Sequence, residues 1–147
     1  METYIKTFDE LSNKELYEII RARTEVFVVE QNCPYQELDN LDSLCCHVYF
    51  KENGVISAYL RIVPPGVRFR EVSLGRIFTA SSFRGKGLGL KIVEKGIKSA
   101  EKIYGKCPIR IAAQKYARGF YEQLGFVKAS DEFDEDGIVH IEMIRTQ

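Results

Sequence analysis

The chain has 147 residues, 45% hydrophobic and 29% charged, which is ordinary globular usage and enough length to bury the core of one domain spanning 1–147. Lys plus Arg equal Asp plus Glu at 21 each, and this zero net charge argues against general nucleic-acid binding and against a polybasic membrane anchor. No apolar run nears the ~20 residues that span a bilayer, and the start METYIKTFDE lacks the basic-then-apolar layout of a signal peptide, so a cytoplasmic protein is expected.

In chain order, Thr3–Phe8 alternates like a strand. Ser12-x-x-Glu15 is a capping-box pattern, and Leu16, Ile19, Ile20, Arg23 and Phe27 follow at helical spacing, predicting a helix over about 13–28. Between Thr24 and Phe50 there is no Lys or Arg, while Glu25, Glu30, Glu37, Asp39 and Asp42 fall inside. This stretch reads as a solvated acidic segment, or as one that attracts a cationic amine. Asn53-Gly54 between two β-rich runs is a type I′ hairpin signal.

Val72–Ala80 is the next strand, and it feeds directly into Arg84-Gly85-Lys86-Gly87-Leu88-Gly89. Leu88, Ile92, Val93, Ile97, Ala100 and Ile103 then share one helical face. Ile109–Ala113 is a short buried strand, and Tyr116–Leu124 a short helix stopped by Gly125. The runs FVKAS and HIEMIR flank Asp136-Gly137 as a closing hairpin. Hairpins force antiparallel pairs and strand–helix–strand crossovers favour parallel ones, so the fold class is α/β with a mixed sheet.

Cys33, Cys45, Cys46 and Cys107 form no Cys-x-x-Cys pair, and His47 and His140 lie far apart. These are read as free thiols in a reducing compartment, and no metal is expected.

The glycine stretch is neither a Walker A loop nor a dinucleotide fingerprint, since the spacing fails for both. It still places glycines between a strand and a helix start, where N–H groups without intrahelical partners and the helix dipole favour an anion. Arg84, Lys86 and Lys91 add positive charge, and a pyrophosphate is the natural guest. The plain alternative is a glycine-rich helix start with solvated basic side chains.

Arg84-Gly85-Lys86-Gly87-Leu88-Gly89 matches the Arg/Gln-x-x-Gly-x-Gly/Ala motif of the GCN5-related N-acetyltransferase (GNAT) family. Gln114-x-x-Ala117-x-x-Phe120-Tyr121-x-x-x-Gly125-Phe126, about thirty residues on, resembles that family's second block. The segments VFVVEQNCPYQELD and AAQKYARGFYEQLGF look like its ElaA-like branch, and the resemblance covers the whole chain.

The resemblance implies a GNAT fold, with a central, mostly antiparallel sheet flanked by helices and a splayed parallel strand pair forming the acyl-coenzyme A cleft. It implies acetyl-coenzyme A as acyl donor and direct attack of an amine, without an acyl-enzyme. Ile77, Phe78 and Thr79 would pair with the pantetheine arm, and an N–H there would polarise the thioester. Arg84, Gly85, Lys86, Gly87, Leu88, Gly89 and Leu90 would bind the pyrophosphate. Tyr121 would be the general acid for the leaving thiolate, the alternative being a half-buried aromatic with a satisfied hydroxyl.

Two positions depart from the family pattern. Gln114 stands where members often carry Asn. The strand before the loop reads Ser73-Leu74-Gly75-Arg76, without the Glu or His that many members use to take the amine proton, and Glu71 lies too near the strand start. Glu30 and His140 are the candidates for this acceptor-side role, each with a structural reading beside it, and a water chain is a further alternative. The acceptor would be a small-molecule or peptide amine, and such domains often pair as homodimers. Two other classes stay open: a non-catalytic acyl-coenzyme A binding module, and a different nucleotide-phosphate binder.

Overall fold

The computed structural model describes residues 1–146. Strand β1 (Glu2–Thr7) leads through a 3₁₀ turn to helix α1 (Asn13–Thr24). The capping box is formed as read: Glu15 N–H donates to Ser12 Oγ (3.1 Å) and Ser12 N–H to Glu15 Oε1 (2.8 Å). The helix does not stop at 28 but continues as a π turn over Glu25–Glu30. Strands β2 (Cys46–Glu52) and β3 (Val55–Val63) form the Asn53-Gly54 hairpin, both turn residues having the positive φ a type I′ turn requires (52° and 76°). Then come β4 (Val72–Thr79), α2 (Leu88–Tyr104), β5 (Ile109–Gln114), α3 (Arg118–Glu122), β6 (Val127–Lys128), β7 (Phe133–Glu135) and β8 (Ile138–Arg145).

The strands form one mixed sheet in the order β1-β2-β3-β4-β5-β8-β6, with β7 also on β8. Every pairing is antiparallel except β4–β5. Strand alternation sends Val48, Phe50, Ala58, Leu60 and Ile62 to one face, against Ile92, Val93, Ile97 and Ala100 of α2. Tyr49, Tyr59 and Phe78 go to the other face, against Ile19 of α1 and Val26 of the π turn. Gly96 lets α2 approach closely: a Cβ there would lie 2.6 Å from Leu60 Cδ2. Ile103, placed on the buried stripe by periodicity, is half exposed because it sits in the last turn of α2, past the core.

Two readings need correction. The closing turn at Asp136-Gly137 joins β8 to Phe133–Glu135, not to FVKAS, which contributes only Val127 and Lys128 opposite Ile144 and Met143 at the far end of β8. Strand β7 lies inside a run of acidic residues with weak strand propensity, and only pairing to β8 makes it extended.

The acidic segment before β2 is not a solvated face either. Glu37 is 4% exposed and is gripped by fully buried Arg23, whose Nε and Nη2 each lie 3.0 Å from a carboxylate oxygen. Arg23 Nη1 reaches Asp42 Oδ1 at 2.6 Å. Arg61, 1% exposed, binds both Asp39 and Asp42 (2.9 and 3.0 Å from Nη1), and Arg76 Nε lies 2.6 Å from Glu37 Oε2. Three arginines from α1, β3 and β4 thus neutralise three carboxylates of one loop. Removing one member of a buried pair strands the other's charge, at about 3–5 kcal/mol. Arg23→Ala is therefore expected to lower the melting temperature by roughly 6–20 °C at this chain length. A drop under about 2 °C in a thermal melt would show that the network is dispensable.

The same region sets the pH response. Burial opposes ionisation of Asp39 and Asp42, but hydrogen bonds and charge from Arg61 and Arg23 outweigh it and hold both carboxyls below their usual values. The Lys6 ammonium, helped by the Ser12 N–H, holds Glu15 down to about 2. Burial keeps His47 below its ordinary 6.5, neutral between Tyr59 Oη (2.8 Å) and the Asp42 carbonyl (3.0 Å). In each case the folded chain binds fewer protons than the unfolded one, so stability is lost as pH falls. The melting temperature is expected to decline below about pH 6.5 and more steeply below about 4.5. An unchanged value between pH 7 and 3 would contradict this assignment.

Candidate active site

Strands β4 and β5 are bonded only at their starts, Val72 opposite Ile109 and Ser73 opposite Arg110, and then diverge. On its other edge β4 stays with β3, but Arg76 and Ile77 together oppose the single residue Leu60 between the Gly75–Arg61 and Phe78–Tyr59 pairs. This is a β-bulge, and Arg76 carries it at φ 51°. A bulge bends its strand, and the bend turns β4 away from β5. Arg76 is held there from outside the sheet: Nη2 donates to the Glu37 carbonyl (2.7 Å), and the guanidinium lies 5.8 Å from the Tyr35 ring centre.

The gap is a cleft of about 840 Å³. Its walls include Phe120 and Tyr121 from the α2 face of the sheet and Phe27 and Phe78 from the α1 face, so it runs through the sheet from one side to the other. Phe27 packs edge-on to Phe78 (5.9 Å, 84°), which docks the π turn on β4.

At the α2 mouth lies the glycine stretch. Gly85 and Gly87 have φ 81° and 78°, and a Cβ on either would meet nothing within 4 Å. These glycines answer a backbone requirement and leave open space in front of it. Gly87 is the N-cap of α2 with no side-chain cap, no acidic residue occupies the first turn, and the first ladder bond is Lys91 N–H to the Gly87 carbonyl (3.3 Å). The N–H groups of Leu88, Gly89 and Leu90 are thereby left for an anion, and a pyrophosphate fits this edge in charge and in room. Gly89 lies against Phe120 and Thr79, so α2 starts flush with the cleft wall. The Lys86 ammonium is parked over the Phe83 ring, 5.7 Å from its centre.

Tyr121 is 9% exposed and lines the cleft from α3, whose end is set by Gly125 at φ 91° and the Phe126 N–H bond to the Tyr121 carbonyl (3.2 Å). Burial, with a smaller contribution from Tyr116, pushes its phenol well above the ordinary value, so it is protonated at neutral pH. The sequence reading extends this helix over 116–124; its first turn is 3₁₀ (Lys115–Ala117).

The α1 mouth holds the remaining candidates. His140 stands opposite Gln114 across β5–β8. Its Nδ1 lies 2.8 Å from the Ile138 carbonyl, which makes Nδ1 a donor, and its Nε2 lies 3.5 Å from Glu135 Oε2. The ring stacks on Phe133 (5.9 Å, 30°). Gln114 exchanges amide hydrogen bonds with Gln31 (3.3 and 3.5 Å). Glu30 lines the cleft too, but is paired with Arg84 (2.5 Å). Glu71 is bound by Arg110 at 3.1 and 3.3 Å, at the closed end of the strand pair. Among the described residues no His, Cys, Asp and Glu side chains gather where a metal could sit, and no helix is long and apolar enough to cross a membrane.

With this geometry in place, residues 9–147 match the acetyltransferase (GNAT) domain. The chain belongs to that family. A UPF0039 protein of Synechocystis is 38% identical over 138 residues, 93% of this chain and 90% of that one. Escherichia coli ElaA is 34% identical over 138 residues, 92% of this chain and 90% of ElaA. The crystal structure of ElaA superposes with a TM-score of 0.92 over 98% of both chains. An acyl-CoA N-acyltransferase from Pseudomonas aeruginosa, 37% identical, gives 0.93 over 99% of both.

Of the residues singled out in the sequence, Glu30, Ile77, Phe78, Thr79, Arg84, Gly89, Gln114, Tyr121 and His140 line the cleft, while Gly85, Lys86, Gly87, Leu88 and Leu90 do not; Arg76, Tyr35, Gln31 and Glu135 line it too and are not singled out there as site residues. No local pattern marks an arginine for a left-handed bulge, and Glu135 is one of several acids in its run. Gly87→Glu would force a side chain onto a left-handed backbone and set a carboxylate at the uncapped helix start. We expect it to weaken coenzyme A binding at least tenfold by calorimetry while the strained backbone costs only a few degrees of melting temperature; unchanged affinity would reduce the glycines to a helix start.

Proposed function

We propose that the protein transfers an acetyl group from acetyl-coenzyme A directly to the primary amine of a small-molecule or peptide acceptor. The observation that carries this reading is the meeting, in one through-sheet cleft, of an uncapped glycine-lined helix start, a strand edge released by a bulge, and a buried tyrosine. Arg84 to Leu90 would hold the pyrophosphate, and the freed edge Ile77–Thr79 the pantetheine arm, with a backbone N–H of that edge polarising the thioester carbonyl. Gln114, engaged with Gln31, would border the arm where it crosses the sheet.

The acceptor enters from the α1 mouth. Its neutral amine attacks the carbonyl carbon, the C–N bond forms and the C–S bond breaks. His140 Nε2 takes the amine proton, and Glu135, itself held by Arg68 (2.9 Å), stabilises the imidazolium. Tyr121 gives its proton to the departing thiolate and regains one from solvent. Burial that raises the phenol raises a thiolate in the same pocket as well, which keeps this transfer feasible. Of the two acceptor-side candidates we assign the base to His140, beside Glu135 and with Nδ1 fixed on a carbonyl, while Glu30 pairs with Arg84 in the free protein.

Tyr121→Phe is expected to lower kcat about 10²- to 10⁴-fold with coenzyme A affinity within about twofold. Because burial raises the phenol, wild-type kcat should show no alkaline loss from Tyr121 below its ordinary 10.0. The measurement is a thiol-release assay against a panel of amines, across pH. Full activity of the Phe variant would remove Tyr121 from catalysis, and no turnover with any amine by a protein that binds coenzyme A would favour a binding module.

A further inference from the structure

Arg84 touches both mouths of the cleft through its guanidinium. Its Nε donates to the Thr79 carbonyl (2.9 Å), at the end of the freed β4 edge, and its Nη2 lies 2.5 Å from Glu30 Oε1. Glu30 is the last residue of the π turn, which docks on β4 through Phe27 and Phe78. A π turn takes one more residue per hydrogen-bonded ring than an α turn, which rotates its last side chain relative to a straight helix. That turn brings Glu30 into the cleft, where it meets the loop that the proposed function assigns to a pyrophosphate. The Glu30 carboxylate thus supplies to Arg84 the negative charge that a phosphate would supply.

We infer that the Glu30–Arg84 ion pair is an electrostatic latch across the cleft, closed in the free protein and opened when a pyrophosphate takes Arg84 from Glu30. This inference rests on the proposed assignment of the loop to coenzyme A. The Arg84 and Glu30 side chains are 45% and 35% exposed, so the pair is a weak surface bridge that a doubly charged, bidentate phosphate partner displaces. Its opening frees a carboxylate on the acceptor side of the sheet only once the donor has bound. Glu30 thereby responds to the donor site without touching the reacting atoms.

The test is calorimetric titration of the full chain with coenzyme A, and separately with pantetheine, which has the arm but no pyrophosphate. Four proteins are compared: wild type, Glu30→Gln, Arg84→Gln and the double variant, each checked for an unchanged melting temperature. Opening the latch should let Glu30→Gln bind coenzyme A about three- to fivefold more tightly at low salt, the span of an exposed ion pair. It should leave pantetheine binding unchanged. Arg84→Gln should weaken coenzyme A about tenfold, and in that background Glu30→Gln should have no effect, since the two positions act as one pair.

An equal gain from Glu30→Gln in both backgrounds would overturn the latch, because Glu30 would then act by general repulsion of an anion. Wild-type binding of coenzyme A with Glu30→Gln silent would overturn the latch alone. Failure of the wild type to bind coenzyme A would bring down the functional reading and the latch with it.

Discussion

A buried cluster of three arginines and three carboxylates holds the working shape of this molecule. Arg23 of α1, Arg61 of β3 and Arg76 of β4 converge on Glu37, Asp39 and Asp42, which all belong to the connection between the π turn and β2. Desolvating six charges costs as much as, or more than, their attraction returns, so such a cluster is weak evidence for stability gained. What it does is specify arrangement. Each bidentate grip fixes a distance and an angle, and together they seal an otherwise polar loop against the sheet.

Arg76 ties that cluster to the cleft. Its backbone carries the bulge that bends β4, and its side chain is anchored by the Glu37 carboxylate and carbonyl and covered by Tyr35. A non-glycine residue in the left-handed region is unfavourable on its own and persists where its surroundings over-determine it. The loop thus helps hold open the strand edge on which the proposed donor site depends. The same loop places Cys33, whose thiol donates to the Asp136 carbonyl (3.2 Å), so the β7–β8 turn is drawn to the α1 mouth with it.

The through-sheet cleft separates two kinds of chemistry. The α2 side offers N–H groups, glycines and cations, the surface we propose for phosphates. The α1 side offers a histidine, side-chain amides and carboxylates, the surface we propose for an amine. A reaction between partners entering from opposite sides needs no moving domain, only a gap between two strands. The acidic run that reads as a lure for cations is largely consumed by its own arginines, and the carboxylates lining the cleft include Glu30 and Glu135.

Much of this was legible in the residues. The Ser12–Glu15 box, the Asn53-Gly54 turn, the apolar stripe of α2 and the glycine stretch are each set by neighbours a few positions apart, and each stands where the spacing puts it. The two spaced motifs also sufficed to place the chain in its family. Local spacing is silent about contacts between residues far apart in the chain, and there the tertiary structure decided. It turned the acidic segment inward because three arginines, 14 to 39 residues away along the chain from the groups they bind, meet it. It made Phe133–Glu135 a strand because β8 offered an edge, and it made Arg76 a bulge because a partner waited off the sheet. Sequence determined which segments could be helix, strand or glycine-lined helix start; only the folded chain, by neutralising buried charge and satisfying strand edges, decided which of them face one another across the cleft.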